Sequence, residues 1–281
     1  MELVVNLAPT GMVPTKDLNP RVPITPKEIV TDVIGCRSIG ITSVHLHARG
    51  KDGSPSYKKD IYAEIISGIR ETVPDMVICV SCSGRTFSEF EKRSEVLDLV
   101  GDTKPDMGSL MLSSINFPQG PTVNAPGTII RLAEKMQEKG IKPELEIFDL
   151  GMVNFCLYLI QKKYLTAPYY FNILLGNIAS ARAEIHHLAA LLYDLPDDSV
   201  WSVGGLGTNQ LKANILSVAL GGGVRVGMED NIWYDANKTI PAGNDTLLQR
   251  IVKIIELSGH SVMPPQRLRE RLKIGKPSQT T

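Results

Sequence analysis

The chain carries no surplus of either charge: 30 Lys and Arg residues balance 30 Asp and Glu residues. Nucleic-acid grooves and anionic membrane surfaces select for clustered basic charge, so neither is an expected partner. No apolar run is long enough to cross a bilayer, and the opening Met1-Glu2-Leu3-Val4-Val5-Asn6 lacks the basic, apolar and cleavage-site order of a secretory leader. A cytoplasmic protein is therefore expected. Cysteine is scarce: Cys36, Cys79, Cys82 and Cys156 suit a reducing compartment and do not form a disulfide framework. Cys79 and Cys82 have the C-x-x-C spacing of a redox or zinc element. On a strand that spacing sends the sulfurs to opposite faces, so packing roles are expected. A dinucleotide fingerprint is missing too, because Gly221-Gly222-Gly223 precedes a β-branched run where a phosphate loop would follow one.

What is present is an alternation. Apolar, β-branched runs occur at Leu3 to Ala8, Ser43 to Ala48, Met76 to Cys82, Met107 to Leu112, Glu144 to Asp149, Tyr170 to Leu175, Trp201 to Gly205 and Val224 to Met228. Between them lie helical stretches at Thr25 to Ile39, Lys58 to Val73, Ala125 to Lys139, Asn154 to Lys163, Ser180 to Tyr193 and Asn209 to Ala219. The first is announced by Thr25-Pro26-Lys27-Glu28, a cap followed by proline and then by a glutamate three residues on. Eight strands with intervening helices in 281 residues predict a single (β/α)8 TIM barrel over residues 1–281, with closing helices at Asp245 to Ser258 and Pro265 to Leu272. A doubly wound open sheet is the competing topology, since sequence does not show closure.

Two of these strands carry chemistry on one face. In Ser43-Val44-His45-Leu46-His47-Ala48-Arg49 the period of two puts His45 and His47 together and the aliphatic residues opposite. Two neutral imidazoles converging on a point suit a divalent transition metal, zinc above all, although a pair of hydrogen-bonded core histidines would read the same way. The last strand, Val224-Arg225-Val226-Gly227-Met228-Glu229, places Arg225 and Glu229 on one face. In a closed barrel the eighth strand borders the first and the first borders the second, so Glu229 would meet the histidines at the carboxyl rim, where barrel chemistry sits. Ser81, Ser109, Glu144 and Glu146 are further inward candidates. The hydroxyls suit a carboxylate ligand or act as small spacers, and the two acids serve function or pair with barrel cations.

These residues carry a resemblance. Ala8-Pro9-Thr10-Gly11, Asn19-Pro20-Arg21-Val22-Pro23-Ile24-Thr25-Pro26, Val44-His45-Leu46-His47-Ala48-Arg49 and Arg225-Val226-Gly227-Met228-Glu229-Asp230-Asn231 resemble the β-keto acid cleavage enzymes, from about residue 3 to 270. The resemblance implies a zinc-dependent barrel that uses acetyl-CoA as co-substrate, releases acetoacetate and forms a new CoA thioester. It implies His45, His47 and Glu229 as metal ligands, and Arg225 with Asp230 as the catalytic pair. Ser81, Gly84 and Ser109 would hold the substrate carboxylate, and Glu146 would shape the pocket. Asp230 is the expected base that generates an acetyl-CoA carbanion, with Arg225 orienting it. On an ideal strand Asp230 would face away from Glu229, so that role requires the chain to leave strand geometry first. Relatives form dimers and tetramers, which implies a homo-oligomer.

One position departs from the best-known members, which carry an acidic residue after the Thr-Gly turn to pair with a substrate ammonium. Here the turn reads Thr10-Gly11-Met12-Val13-Pro14. Val13 offers no counter-charge, and burying an ammonium against it would cost several kcal/mol, so a neutral or anionic substituent is expected. Arg85 is a candidate for a second carboxylate or an exposed arginine. The CoA surface is not marked by any cationic cluster; Lys16, Arg49, Arg182 and Lys212 are unranked candidates.

Two other functions fit parts of this pattern. Metal-dependent hydrolase barrels of the amidohydrolase type also use His-x-His, joined by further histidines, for which only His186, His187 and His260 are available here. A barrel that binds metal and ligand without turnover would have lost Arg225 or Asp230, and both are present.

Overall fold

The computed structural model describes residues 1–275, so residues 276–281 of the expected domain lie outside the described residues. Eight strands form one closed parallel barrel: β1 (Val5–Leu7), β2 (Ser43–Leu46), β3 (Val77–Val80), β4 (Met107–Met111), β5 (Lys142–Ile147), β6 (Tyr169–Leu175), β7 (Ser199–Gly205) and β8 (Gly223–Val226). Neighbours pair in chain order, and Arg225 of β8 sits opposite Asn6 of β1, which closes the ring. The open-sheet alternative is excluded. Around the barrel run α1 (Pro26–Ile39), α2 (Lys59–Thr72), α3 (Phe90–Ser94), α4 (Pro126–Lys139), α5 (Leu150–Gln161), α6 (Ile185–Tyr193), α7 (Asn209–Ala219), α8 (Asn244–Leu257) and α9 (Pro265–Leu272). None of the described helices is long and apolar enough to cross a membrane.

Local chemistry explains where the elements begin. Thr25 caps α1 by accepting from the Glu28 N–H, while the Glu28 carboxylate accepts from the Thr25 N–H, and Pro26 occupies the first turn. Helix α5 starts at Leu150 rather than Asn154, because Asp149 supplies the cap by accepting from the Met152 N–H. Residues 180–184, expected to open α6, remain outside the helix, which starts at Ile185.

The barrel interior is layered. Its lower end is apolar, with Val77, Met107, Tyr170 and Val200 packed against Leu268 and Leu272 of α9, which plugs the amino-terminal mouth. Arg269 anchors the plug: its guanidinium donates to both Asp106 oxygens at 2.8 and 2.7 Å and to the carbonyls of Asp75 and Met76. Above that floor the interior turns polar, with Asn6, His45, Glu144, Asn172 and Ser202 all buried. Outward-facing aliphatics such as Val44, Leu46, Val224 and Val226 join the larger core shared with the helices. Cys79 belongs to the inner cluster and Cys82 to the outer one, so the two sulfurs do point to opposite faces.

Candidate active site

Strand β8 stops at Val226, two residues earlier than its β-branched run suggests. Gly227 breaks it, at φ 151° and with its Cα so close to Ala8 that a Cβ would stand 2.1 Å from the Ala8 carbonyl oxygen. The following turn brings Glu229 inward and swings Asp230 to the same side. The obstacle raised by strand alternation is therefore absent: Asp230 accepts from Arg225 Nε at 2.8 Å and Nη2 at 3.2 Å, and Glu229 accepts from Nη2 at 2.6 Å. Gly11 completes the fit, since its φ of 66° and the 2.5 Å from an added Cβ to Glu229 Cγ leave no room for a side chain.

Across the rim, the rings of His45 and His47 lie 5.2 Å apart, centroid to centroid. His47 Nε2 is 3.1 Å from Glu229 Oε1. His45 sits one layer lower, with Nδ1 2.5 Å from Glu144 Oε2. An ionised carboxylate only accepts, so Nδ1 carries the proton and Nε2 is left free. Asn6 donates to the other Glu144 oxygen at 2.8 Å. Glu144 is thus buried and bonded on both oxygens, an arrangement with which carboxylates elsewhere orient metal-binding histidines.

Two groups of side chains bring donor atoms within 4.8 Å of one another: His45, His47 and Glu229, and the deeper His45, Cys79 and Glu144. The first fits a metal better. His47 and Glu229 open onto a cavity, and Glu229 Oε2 is a buried acceptor with no partner among the described residues. The second is sealed, Glu144 is already saturated, and burial holds the Cys79 thiol well above its usual range, which opposes the thiolate a metal would need.

Electrostatics follow this geometry. Burial works to neutralise Glu229, but Arg225 and His47 hold its carboxyl well below the usual range. Burial likewise opposes charge on His45, and the Glu144 carboxylate overrides it, lifting the ring to about 9. Burial raises Asp230, with Arg225 pulling the other way. Glu146 is pushed up to about 7, chiefly by burial, and its nearest cation is Arg225 Nη1 at 3.8 Å.

The cavity is about 350 Å³ and includes Val13, His47, Ser81, Glu146, Arg225, Glu229 and Asp230 in its lining. Of the other expected substrate contacts, Ser109 lies one layer below, because β4 continues to Met111, which takes the wall position. Its hydroxyl accepts the Cys82 N–H at 3.0 Å and so props the end of β3. Gly84 is packed against Arg93, where a Cβ would come within 2.8 Å of Nη1; its neighbours Ser83 and Arg85 reach the cavity instead. His186, His187 and His260 are absent from the lining, which removes the extra ligands a hydrolase centre would use. Arg49, a CoA candidate by sequence, is buried with its donors on the carbonyls of Gly11, Pro14 and Gly53, so it fixes the turn carrying Met12 and Val13. Lys16 and Lys212 pair with Glu28 and Glu184.

Several supporting residues have little local signature in the sequence. Asn244 donates to the Pro9 carbonyl and accepts from the Met228 N–H, tying the exits of β1 and β8. Gln210 and Asn214 of α7 donate to the carbonyls of Gly227 and Arg225. Asparagine or glutamine in the first two turns of a helix that follows a strand was the only available signal.

Residues 2–274 match the family described as beta-keto acid cleavage enzyme. The 3-keto-5-aminohexanoate cleavage enzyme of Acetoanaerobium sticklandii is 32% identical over 277 residues, covering 98% of this chain and 99% of its own. The 3-oxoadipate:acetyl-CoA acetyltransferase of Cupriavidus necator is 33% identical over 262 residues, covering 92% of this chain and 90% of its own. A solved ternary complex of ObcA with a C4-CoA adduct and oxalate superposes with a TM-score of 0.81 over 90% of this chain and 68% of that one; at 19% identity the likeness concerns the fold alone.

Proposed function

This chain belongs to the beta-keto acid cleavage enzymes, and from that membership we propose that it exchanges acyl groups between a β-keto acid and acetyl-CoA, with zinc held by His45, His47 and Glu229. The observation that carries the reading is the convergence of a two-histidine, one-carboxylate donor set, with His47 and Glu229 on the cavity wall and His45 in the layer beneath, and of the Arg225–Asp230 pair on the same wall. A divalent ion at those donors would polarise the β-keto oxygen as a Lewis acid and keep coordination positions open for the acid.

The chain's own residues supply the rest. Asp230 is the base: burial raises its affinity for a proton, and Arg225 fixes its direction while balancing its charge. Atom balance moves the expected site of deprotonation. For acetoacetate to form, the carbanion must be C2 of the β-keto acid, which lies between ketone and carboxylate and is more acidic than the methyl group of the thioester. C2 then bonds to the acetyl carbonyl, and the CoA sulfur leaves that carbon and passes to the former ketone carbon. Cleavage of the C2–C3 bond returns the electron pair to C2, which takes back the proton from Asp230 as acetoacetate and the new thioester are released. Ser81 on the cavity wall donates to the substrate carboxylate, and Glu146, neutral in part near pH 7, flanks Arg225.

Val13 lines the cavity where a cationic substituent would need a partner, which supports a neutral or anionic one. The test is zinc-loaded protein incubated with acetyl-CoA and a panel of β-keto acids, with products identified by mass. Acetoacetate with a matching new CoA thioester is expected. Hydrolysis without CoA, and no acetoacetate from any acid, would overturn the reading.

A further inference from the structure

The cavity wall holds two arginines in opposite circumstances. Arg225 is surrounded by acids, with Asp230 at 2.8 Å, Glu229 at 2.6 Å and Glu146 at 3.8 Å. Arg85 has none within ion-pair reach among the described residues. Its one side-chain hydrogen bond runs from Nη2 to the neutral amide oxygen of Gln119, at 2.9 Å. The guanidinium lies on the face of Phe117, 4.2 Å from the ring centroid, and the Arg85 N–H donates to Ser83 Oγ at 3.2 Å. Both ends of the residue are thus fixed, while Nε and Nη1 have no protein acceptor among the described residues. A guanidinium presents five donors in a planar fork matched to a carboxylate, so most of this fork is available to a ligand.

The cavity that holds Arg85 also has an apolar share of lining, Met12, Val13, Met111, Phe117, Phe148 and Leu174, and Phe117, under the Arg85 guanidinium, packs edge-on against Phe148. Val13, on the turn after β1, adds no acid to the cavity that Arg85 shares. One cavity therefore holds metal donors and acids, apolar side chains, and a cation with no acid partner among the described residues.

Resting on the reading above, we propose that Arg85, held by Gln119 and Phe117, binds a second carboxylate, so that the preferred substrates are β-keto dicarboxylates with a short methylene spacer. The near carboxylate and ketone occupy the donor end, the methylenes lie against Phe117 and Leu174, and the far carboxylate meets the fork. CoA phosphates offer a similar anion to the same arginine. The apolar lining beside Arg85 favours the acid, because a methylene chain matches that wall and a pyrophosphate does not.

The test uses the full chain loaded with zinc. A 3-oxo diacid and the monoacid of equal length, with methyl in place of the far carboxylate, are compared for turnover with acetyl-CoA, and both are titrated calorimetrically without acetyl-CoA. The diacid is expected to be preferred by about 10- to 100-fold, the size of a charge-assisted hydrogen bond lost. Arg85→Gln should collapse that ratio toward one by raising the diacid KM and Kd, and Arg85→Lys should restore part of it. Equal handling of the two acids by the unaltered protein would overturn the proposal. So would an Arg85→Gln variant in which only the KM for acetyl-CoA rises, which would assign the arginine to CoA phosphate. If no acid is turned over, the proposed function fails, and the calorimetric ratio still decides whether Arg85 selects the diacid.

Discussion

The barrel has two buried ion clusters, one at each mouth, and they are built on opposite principles. At the amino-terminal end one acid serves two arginines: Asp106 accepts from Arg269 on both oxygens, from Arg70 and from the Ile78 N–H. At the carboxyl end one arginine serves three acids, yet Arg225 Nη1 and Glu229 Oε2 are buried without hydrogen-bond partners among the described residues. In the lower cluster Asp106 is bonded on both oxygens beneath α9, and Arg70 Nε is left without a partner among the described residues. The upper one is short of donors and acceptors and opens on a cavity. A buried polar atom left unpaired costs about 1–3 kcal/mol; what sets the upper mouth apart is that its unpaired atoms belong to Arg225 and Glu229, residues that also line the cavity beside the His47 ring. The difference separates a structural bolt from a site.

Breaking each cluster should therefore give different losses. Asp230→Asn keeps the shape beside Arg225 but removes the base, and kcat/KM for the best β-keto acid should fall by about 10²- to 10⁴-fold with the thermal midpoint nearly unmoved. Asp106→Ala strands Arg70 and Arg269 in the interior and should cost about 3–5 kcal/mol in denaturant unfolding, with turnover per folded molecule retained. If the Asp106 variant lost activity and kept its stability, the division between the two mouths would be wrong.

A smaller effect is expected at the layer joining them. Glu144 touches no cavity, yet it accepts from both His45 and Asn6, and Glu144→Gln removes the charge that orients the imidazole. Zinc affinity, read by competition with a chelator, should weaken by about 10- to 100-fold, and the visible spectrum of the cobalt-substituted protein should shift. A Glu144→Gln protein that binds zinc as tightly as the parent would assign Glu144 to the structural core.

How much of this was open to sequence reading depended on the range of the pattern. The eight strands follow from apolar periodicity, and His45, His47 and Arg225 follow from the same alternation applied at the rim, whereas Glu229 reaches that face through the turn after Gly227. Alternation misplaced Asp230, because it assumes a strand that Gly227 ends. It also set Ser109 too high, since the depth of a residue depends on where its strand leaves the barrel, and β4 runs on to Met111. The contacts of Glu144, Gln210, Asn214 and Asn244 join elements far apart in the chain and leave no local period. Arg49 looked like a surface cation for the same reason: its acceptors are carbonyls, which have no side-chain signature.

The smallest predicted effect tests whether an under-compensated acid always marks a site. Asp32 of α1 accepts from Asn244 Nδ2 at 2.7 Å, lies away from the cavity and has no hydrogen-bonded cation; burial pushes its carboxyl up to about 6. Its folded form holds the proton more tightly than the unfolded chain does. The resulting contribution to stability is complete below about pH 4 and is lost as pH rises through 6, so at pH 7 the ionised group weakens the fold. Asp32→Asn retains an oxygen to accept from Asn244 and should raise unfolding free energy at pH 7 by about 1–2 kcal/mol, a value reduced for partial solvent exposure. That gain should vanish below about pH 4. A gain independent of pH would trace to packing. If Asp32→Asn instead lowered turnover without stabilising the fold, the clamp that Asn244 makes on Pro9 and Met228 would be the way Asp32 reaches the Glu229 turn, and an acid outside the cavity would have to be counted with the site.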